Sequence, residues 1–259
     1  MTNYNALAFL VVPALFIAMM LLLKLGHRMG KRRLASETEQ ERVGLVSIET
    51  AIFGLLGLVF AFTYSGAASR FEQRRVLGVQ EANAMGTAYL RLDLLPAAAQ
   101  PAIRDKMKRY AKVHLAAYDA LPDYAAFGKT LSRAKAMQAE IWSDTVAALK
   151  DAPPPASQLL LPALNDLIDV TGTHEALTSV RTPPAVLGGL MLLALFSSLL
   201  AGYGLAGSQL WSRYLHMVGF AMIVTGTIYL VVDYDYPRSG LITLDFSDKA
   251  LEEAVAGMK

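Results

Sequence analysis

The chain has no cysteine, so disulfide frameworks, thiolate metal sites and cysteine nucleophiles are excluded. It has almost no net charge: 24 Lys and Arg against 22 Asp and Glu leave +2, which gives no bulk electrostatic case for nucleic acid. It has only four histidines, His27, His114, His174 and His216, scattered along the sequence with no HExxH and no pair at ligand spacing on one helix face. Each reads as a surface or interfacial histidine. No GxxxxGK[ST] phosphate loop and no GxSxG elbow occurs, and Gly202-Tyr203-Gly204 suits helix packing better than a nucleotide loop. Strand-like alternation is missing except for one short candidate, Leu241 to Phe246, and no repeat of fixed period is visible. Nothing here points to an enzyme; carboxylate chemistry at Glu49 and Asp233 is the one enzymatic alternative. Met1 to Asn5 lacks the basic start of a secretory signal, so the first apolar segment is expected to stay as a helix.

What the chain has is apolar length. Of 259 residues 54% are hydrophobic, and the mean hydropathy is +0.36, which indicates a polytopic membrane protein. Four segments approach the roughly 20 apolar residues that a spanning helix needs: residues 6–23, 43–64, 185–205 and 215–232. Pro183-Pro184 opens the third, and Trp211, Tyr214, Tyr229, Tyr234 and Tyr236 bracket the fourth as an interfacial belt would. The middle region, residues 67–182, carries 14 Lys or Arg and 12 Asp or Glu and has soluble character. It predicts one helix closing near Pro122, another over about 123–150, a break at Pro153-Pro154-Pro155, and a third over about 157–180. The expected fold class is all-α. The expected divisions are 1–66 (two transmembrane helices), 67–182 (a helical soluble domain continuing helix 2), 183–233 (two more transmembrane helices) and 234–259 (a C-terminal tail). The positive-inside count does not choose an orientation, with six basic residues from Lys24 to Arg42, seven with Arg213, against six near the opposite membrane ends.

Residues 43–89 form the most specific stretch. The apolar run Ile52 to Phe62 passes into Arg70-Phe71-Glu72-Gln73-Arg74-Arg75 with no proline before Pro96, so one helix is predicted to leave the membrane and continue in water. Gly57, Ala61 and Ser65 recur every four residues, a small-residue stripe that lets helices approach closely in lipid. Gly54, Leu58 and Phe62 form the neighbouring stripe. Packed around an axis, Leu58 and Phe62 would make an apolar constriction that gates by dewetting; the alternative is that Phe62 faces lipid or a core. Glu49 is a carboxylate near the start of the same helix, and Arg70, Arg74 and Arg75 would form a basic collar at the pore mouth. The plainer alternative is a solvated helix face balanced by Glu72 and Glu81. After the fourth segment, Asp233 and Asp235 beside Pro237 could hold a hard cation such as Ca²⁺ with help from carbonyls and water, or could pair with Arg238 at a helix stop.

These residues resemble the bestrophin anion channels. There, an apolar Gly/Leu-rich helix ending in Phe is followed by a D-R-W-W-E-x-R-K-L-W-G-E-x-V-N run. Here Ser69 to Gly78 and Glu81-Ala82-Asn83 stand in its place, with Arg70, Arg75, Leu77 and Asn83 in register. Phe62 falls eight residues before Arg70, where bestrophins place a pore-neck phenylalanine. Asp235 to Gly240 is similar in position to their Pro-Phe-Gly turn. The chain as a whole, including Ala82 to Arg91, more closely resembles the bacterial membrane proteins called bestrophin-like. The resemblance implies a multi-pass protein of the bacterial inner membrane and a homopentamer around a pore lined by helix 2. It further implies inorganic ions, anions first, as partners alongside the lipid bilayer, and a cytoplasmic helical domain. This sequence departs from bestrophins in Phe71-Glu72 for the double tryptophan and in Arg238 for the turn Phe. The acidic run is also missing, the next acids being Asp245 and Asp248, so a Ca²⁺ clasp of their kind does not carry over and no cofactor is expected. The competing expectation is a non-conducting membrane sensor or scaffold whose helical domain binds a partner.

Overall fold

The structure, a computed structural model, describes residues 7–33, 39–207 and 210–258. It is all-α among these residues. The chain divides into two compact units, 1–70 with 181–236, and 71–180 with 237–259. One helix, α2 (Glu39–Arg91), contributes to both without interruption, as the absence of proline before Pro96 predicts.

The first unit also contains α1 (Val12–Arg33), entered through a π turn at Leu7–Val11, and α6 (Pro184–Gly204) and α7 (Leu210–Asp235). With α2, these are the four helices among the described residues that are long and apolar enough to cross a membrane. Proline opens α6 at its first position, where a missing amide donor costs nothing. Leu15, Met19 and Leu23 of α1, Leu190 and Ala194 of α6, and Met217, Ala221, Val224 and Ile228 of α7 make the core, to which α2 adds Leu56. The tightest seam is α1 against α6. A Cβ on Gly26 would lie 1.9 Å from the Leu199 carbonyl oxygen, and one on Gly202 would lie 2.1 Å from that of Leu23. Only glycine lets the backbones meet there, which fulfils the packing role expected of Gly202.

The second unit packs the remainder of α2 with α3 (Gln100–Asp119), α4 (Tyr124–Ala148), α5 (Pro154–Ser179) and α8 (Asp245–Ala256). Asp123 caps α4 by accepting from the amides of Ala125 and Ala126 at 3.0 Å each. Met85, Leu92, Met107, Ile141, Leu160, Leu167 and Leu251 are central to its core. The extended segment expected over Leu241 to Phe246 does not form: residues 242–244 have no regular structure and Asp245 opens a helix. Asp245 and Asp248 occupy the first turn of α8, where carboxylates suit the positive end of the helix dipole.

Candidate functional site

In its membrane section α2 has one covered face and one bare face. Leu56, Thr63 and Ala67 turn inward. Gly54, Gly57, Ala61 and Ser65 are exposed, as are Leu58 (52%) and Phe62 (70%), and a Cβ added at Gly54 or Gly57 would meet nothing within 4 Å. Both small- and large-residue stripes are therefore open within one protomer. Glu49 is half-buried, its carboxylate against Gly204, where an added Cβ would lie 3.1 Å from Oε2. It lines a cavity of about 630 Å³ with Phe53, Phe60, His216 and Phe220.

At the end of this section, Arg70 donates from Nε and Nη2 to Asp235 Oδ1 at 3.1 and 2.8 Å, and from Nη2 to Thr182 Oγ1 at 2.6 Å. The Thr182 amide donates to Asp235 Oδ2 at 2.8 Å. Both oxygens of Asp235 are thus engaged by protein donors. Asp233 is fully buried, and Pro237, also buried, follows the end of α7. Among the described residues no cluster of three or more His, Asp or Glu has a geometry that could hold a metal ion. The ion-pair partner expected of Asp235, Arg238, binds Asp248 instead.

The expected collar of three arginines separates. Arg75 is exposed, bonded to Glu72 at 2.8 Å. Arg70 is committed to Asp235. Arg74 is only 2% exposed and donates to the carbonyls of Leu177 (3.3 Å) and Val180 (2.5 Å). Those carbonyls lie at the C-terminal end of α5, where the Leu177 oxygen also accepts from the Val180 amide at 3.1 Å, so the guanidinium caps this helix end rather than standing free as a mouth charge.

Sequence reasoning missed one cluster. Glu81, expected to balance arginines, is fully buried in the second unit between two histidines expected at the surface. His114 Nε2 pairs with its Oε1, and His174 Nδ1 lies 2.7 Å from its Oε2. Burial alone would raise the Glu81 carboxyl; hydrogen bonds from His114 and then His174 outweigh it and hold the group down to about 2. Tyr118 stacks on the His174 ring at 4.8 Å and meets His114 edge-on at 5.2 Å, and Tyr110 lies 5.6 Å from His114. Burial first, and the Glu81 charge second, push both phenols up.

A family profile described as Bestrophin-like domain matches residues 14–245. The chain belongs to the Bestrophin-like family. Its fold is that of a bacterial bestrophin homolog from Klebsiella pneumoniae. A crystal structure of that protein with a tryptophan-to-alanine substitution aligns with a TM-score of 0.71 at 17% identity, covering 95% of this chain and 97% of the other. A second structure of that homolog, phased with zinc, gives 0.69 at 16% identity over 93% and 97%. No match was found among proteins of curated function. The membrane helices and the bestrophin-like fold make this a membrane protein, as the sequence predicts.

Proposed function

We propose that the protein is an ion channel, a homopentamer of the bacterial inner membrane in which α2 from each copy lines the pore. The observation that carries this reading is the bareness of α2. Only 6% of its most apolar stretch is buried within one protomer, against 22%, 28% and 39% for the other three candidate spans. A helix with so little cover in its own chain, and with glycines on the open face, suits assembly around an axis. Membership in the Bestrophin-like family supports the same arrangement. In it, Phe62 and Leu58, with Gly54 a turn below, form a hydrophobic neck whose wetting controls conduction. Anions are the first choice on the family resemblance; Arg70 and Arg75 stand near the mouth, each paired with a carboxylate, and Glu49 lies at the other end of the span. Asp233, Asp235 and Pro237 form a structural turn in this reading, both oxygens of Asp235 being taken by Arg70 and the Thr182 amide. Residues 67–182 serve as the cytoplasmic helical domain. The non-conducting sensor or scaffold is the second reading, favoured by the absence of any charged residue from 185–205 and 215–232.

The test is ion flux from liposomes holding the purified oligomer, with chloride and potassium gradients imposed separately. Chloride-selective flux that rises in Phe62→Ala is expected. No flux from an intact oligomer in either the wild type or Phe62→Ala would overturn the channel reading in favour of the scaffold. Flux unchanged in Phe62→Ala would remove the neck from this position.

A further inference from the structure

We propose that Glu81, His114 and His174 form a proton-binding site that makes the packing of α3 and α5 on α2 depend on pH. The three side chains come from three helices and meet in an interior from which water is excluded. The groups that face them can be named element by element. On α3 they are Tyr110 and Tyr118, with Asp119 beyond. On α4, Gln138 donates to the Tyr110 hydroxyl at 3.3 Å and to Thr171 Oγ1 at 3.2 Å. On α5 they are Thr171, Thr178 and Glu175, the last paired with Lys135 of α4. From the C-terminal segment come Arg238, whose guanidinium lies 5.5 Å from the Tyr118 ring, and Ser247 and Asp248 of α8. The two phenols stay neutral, and Arg238 and Asp248 neutralise one another. The imidazoles are therefore the groups placed to balance the Glu81 charge.

The cluster has three charge states. With both rings neutral it carries −1, with one protonated it is neutral, and with both protonated it carries +1. Unbalanced charge in a low-dielectric interior is costly, so packing is tightest with a single proton. Uptake of a second proton on acidification therefore loosens the contact. The protons belong to the cluster as a unit, not to one ring. The Tyr118 ring, in contact with both imidazoles, carries the change into the core.

Trp142 on α4 packs against that core, and the chain has only one other tryptophan, Trp211. In a Trp211→Phe background, Trp142 emission and the thermal midpoint are followed from pH 8 to 5. The expected result is a reversible change in emission with a downward shift of the midpoint below neutrality. The change is lost in His114→Gln and His174→Gln, each of which keeps a neutral donor for Glu81, and is kept in Asp248→Asn. Burial raises the Asp248 carboxyl, which makes it the competing source of acid sensitivity. A transition that survives in the double histidine variant, or that vanishes in Asp248→Asn, overturns the proposal. Should the histidine variants fail to fold, imidazole NMR of the wild type decides, with His27→Gln and His216→Gln assigning the other two rings. Two rings that keep one protonation state from pH 8 to 5 overturn the proposal; coupled titration supports it. None of these readouts needs ion conduction, so this site stands or falls apart from the channel reading.

Discussion

The seam between α1 and α6 makes a sharp prediction, because the obstacle to any side chain there is backbone. A methyl group on Gly202 would lie 2.1 Å from the Leu23 carbonyl oxygen and 2.7 Å from its carbon. Relieving that overlap means parting the helices by about 1 Å, and a gap of that size forfeits about a quarter to a half of each dispersion contact along the seam. Overpacking of this kind costs about 1–3 kcal/mol, and more where nothing flexible can yield. Against it stands the gain of about 1 kcal/mol that Gly→Ala brings to a helix interior. The balance favours a net loss of about 2 kcal/mol, which lowers the thermal midpoint by about 4–8 °C in a chain of this size. Gly202→Ala and Gly26→Ala are to be compared by circular dichroism melting in detergent with Gly54→Ala, where a Cβ meets nothing. A midpoint in Gly202→Ala equal to or above that of the wild type, with Gly54→Ala behaving as expected, would refute the close backbone approach.

Three further outcomes are expected. Asp235→Asn removes one member of an ion pair whose side chains are 19% and 5% exposed; it should cost about 3 kcal/mol in chemical denaturation, and a double-mutant cycle with Arg70→Gln should show strong coupling rather than additivity. Tyr118→Phe removes a buried hydroxyl that has no hydrogen-bond partner among the described residues while keeping the ring on His174, so its unfolding free energy in chemical denaturation should equal or exceed that of the wild type by up to about 1 kcal/mol. Because the Glu81 carboxyl is depressed on folding, from 4.5 to about 2, its stabilisation is fully present above pH 4.5 and is lost as pH falls toward 2; the linked loss is about 3 kcal/mol, and melting from pH 6 to 2.5 should show a shallower slope in Glu81→Gln.

The helices were legible because their signals are local. Apolar length marks four spans, prolines open α5 and α6, and the lack of proline lets α2 run from membrane section to charged section. Two of the misplaced residues, Arg74 and Glu81, share one cause, and it lies on α2. Leu56, Thr63, Ala67, Arg74, Gly78, Glu81, Met85 and Ala88 recur at helical spacing along α2 and are all buried, with Leu92 just beyond its end continuing the pattern. Arg74 and Glu81 occupy core positions in that pattern. Read as members of a charged run, they resemble a solvated collar and its counter-charge. Read by register with Met85 and Leu92, they are buried polar groups that must find partners. The register was available in the sequence; the partners were not. Arg74 is satisfied by carbonyls of α5 more than a hundred residues away, and Glu81 by histidines on two other helices that share no local spacing. The same register sets Leu58 and Phe62 away from these buried positions. What makes Arg74 and Glu81 structural therefore also leaves Phe62 to face whatever surrounds the protomer, and the Phe62→Ala flux measurement asks whether that is a pore.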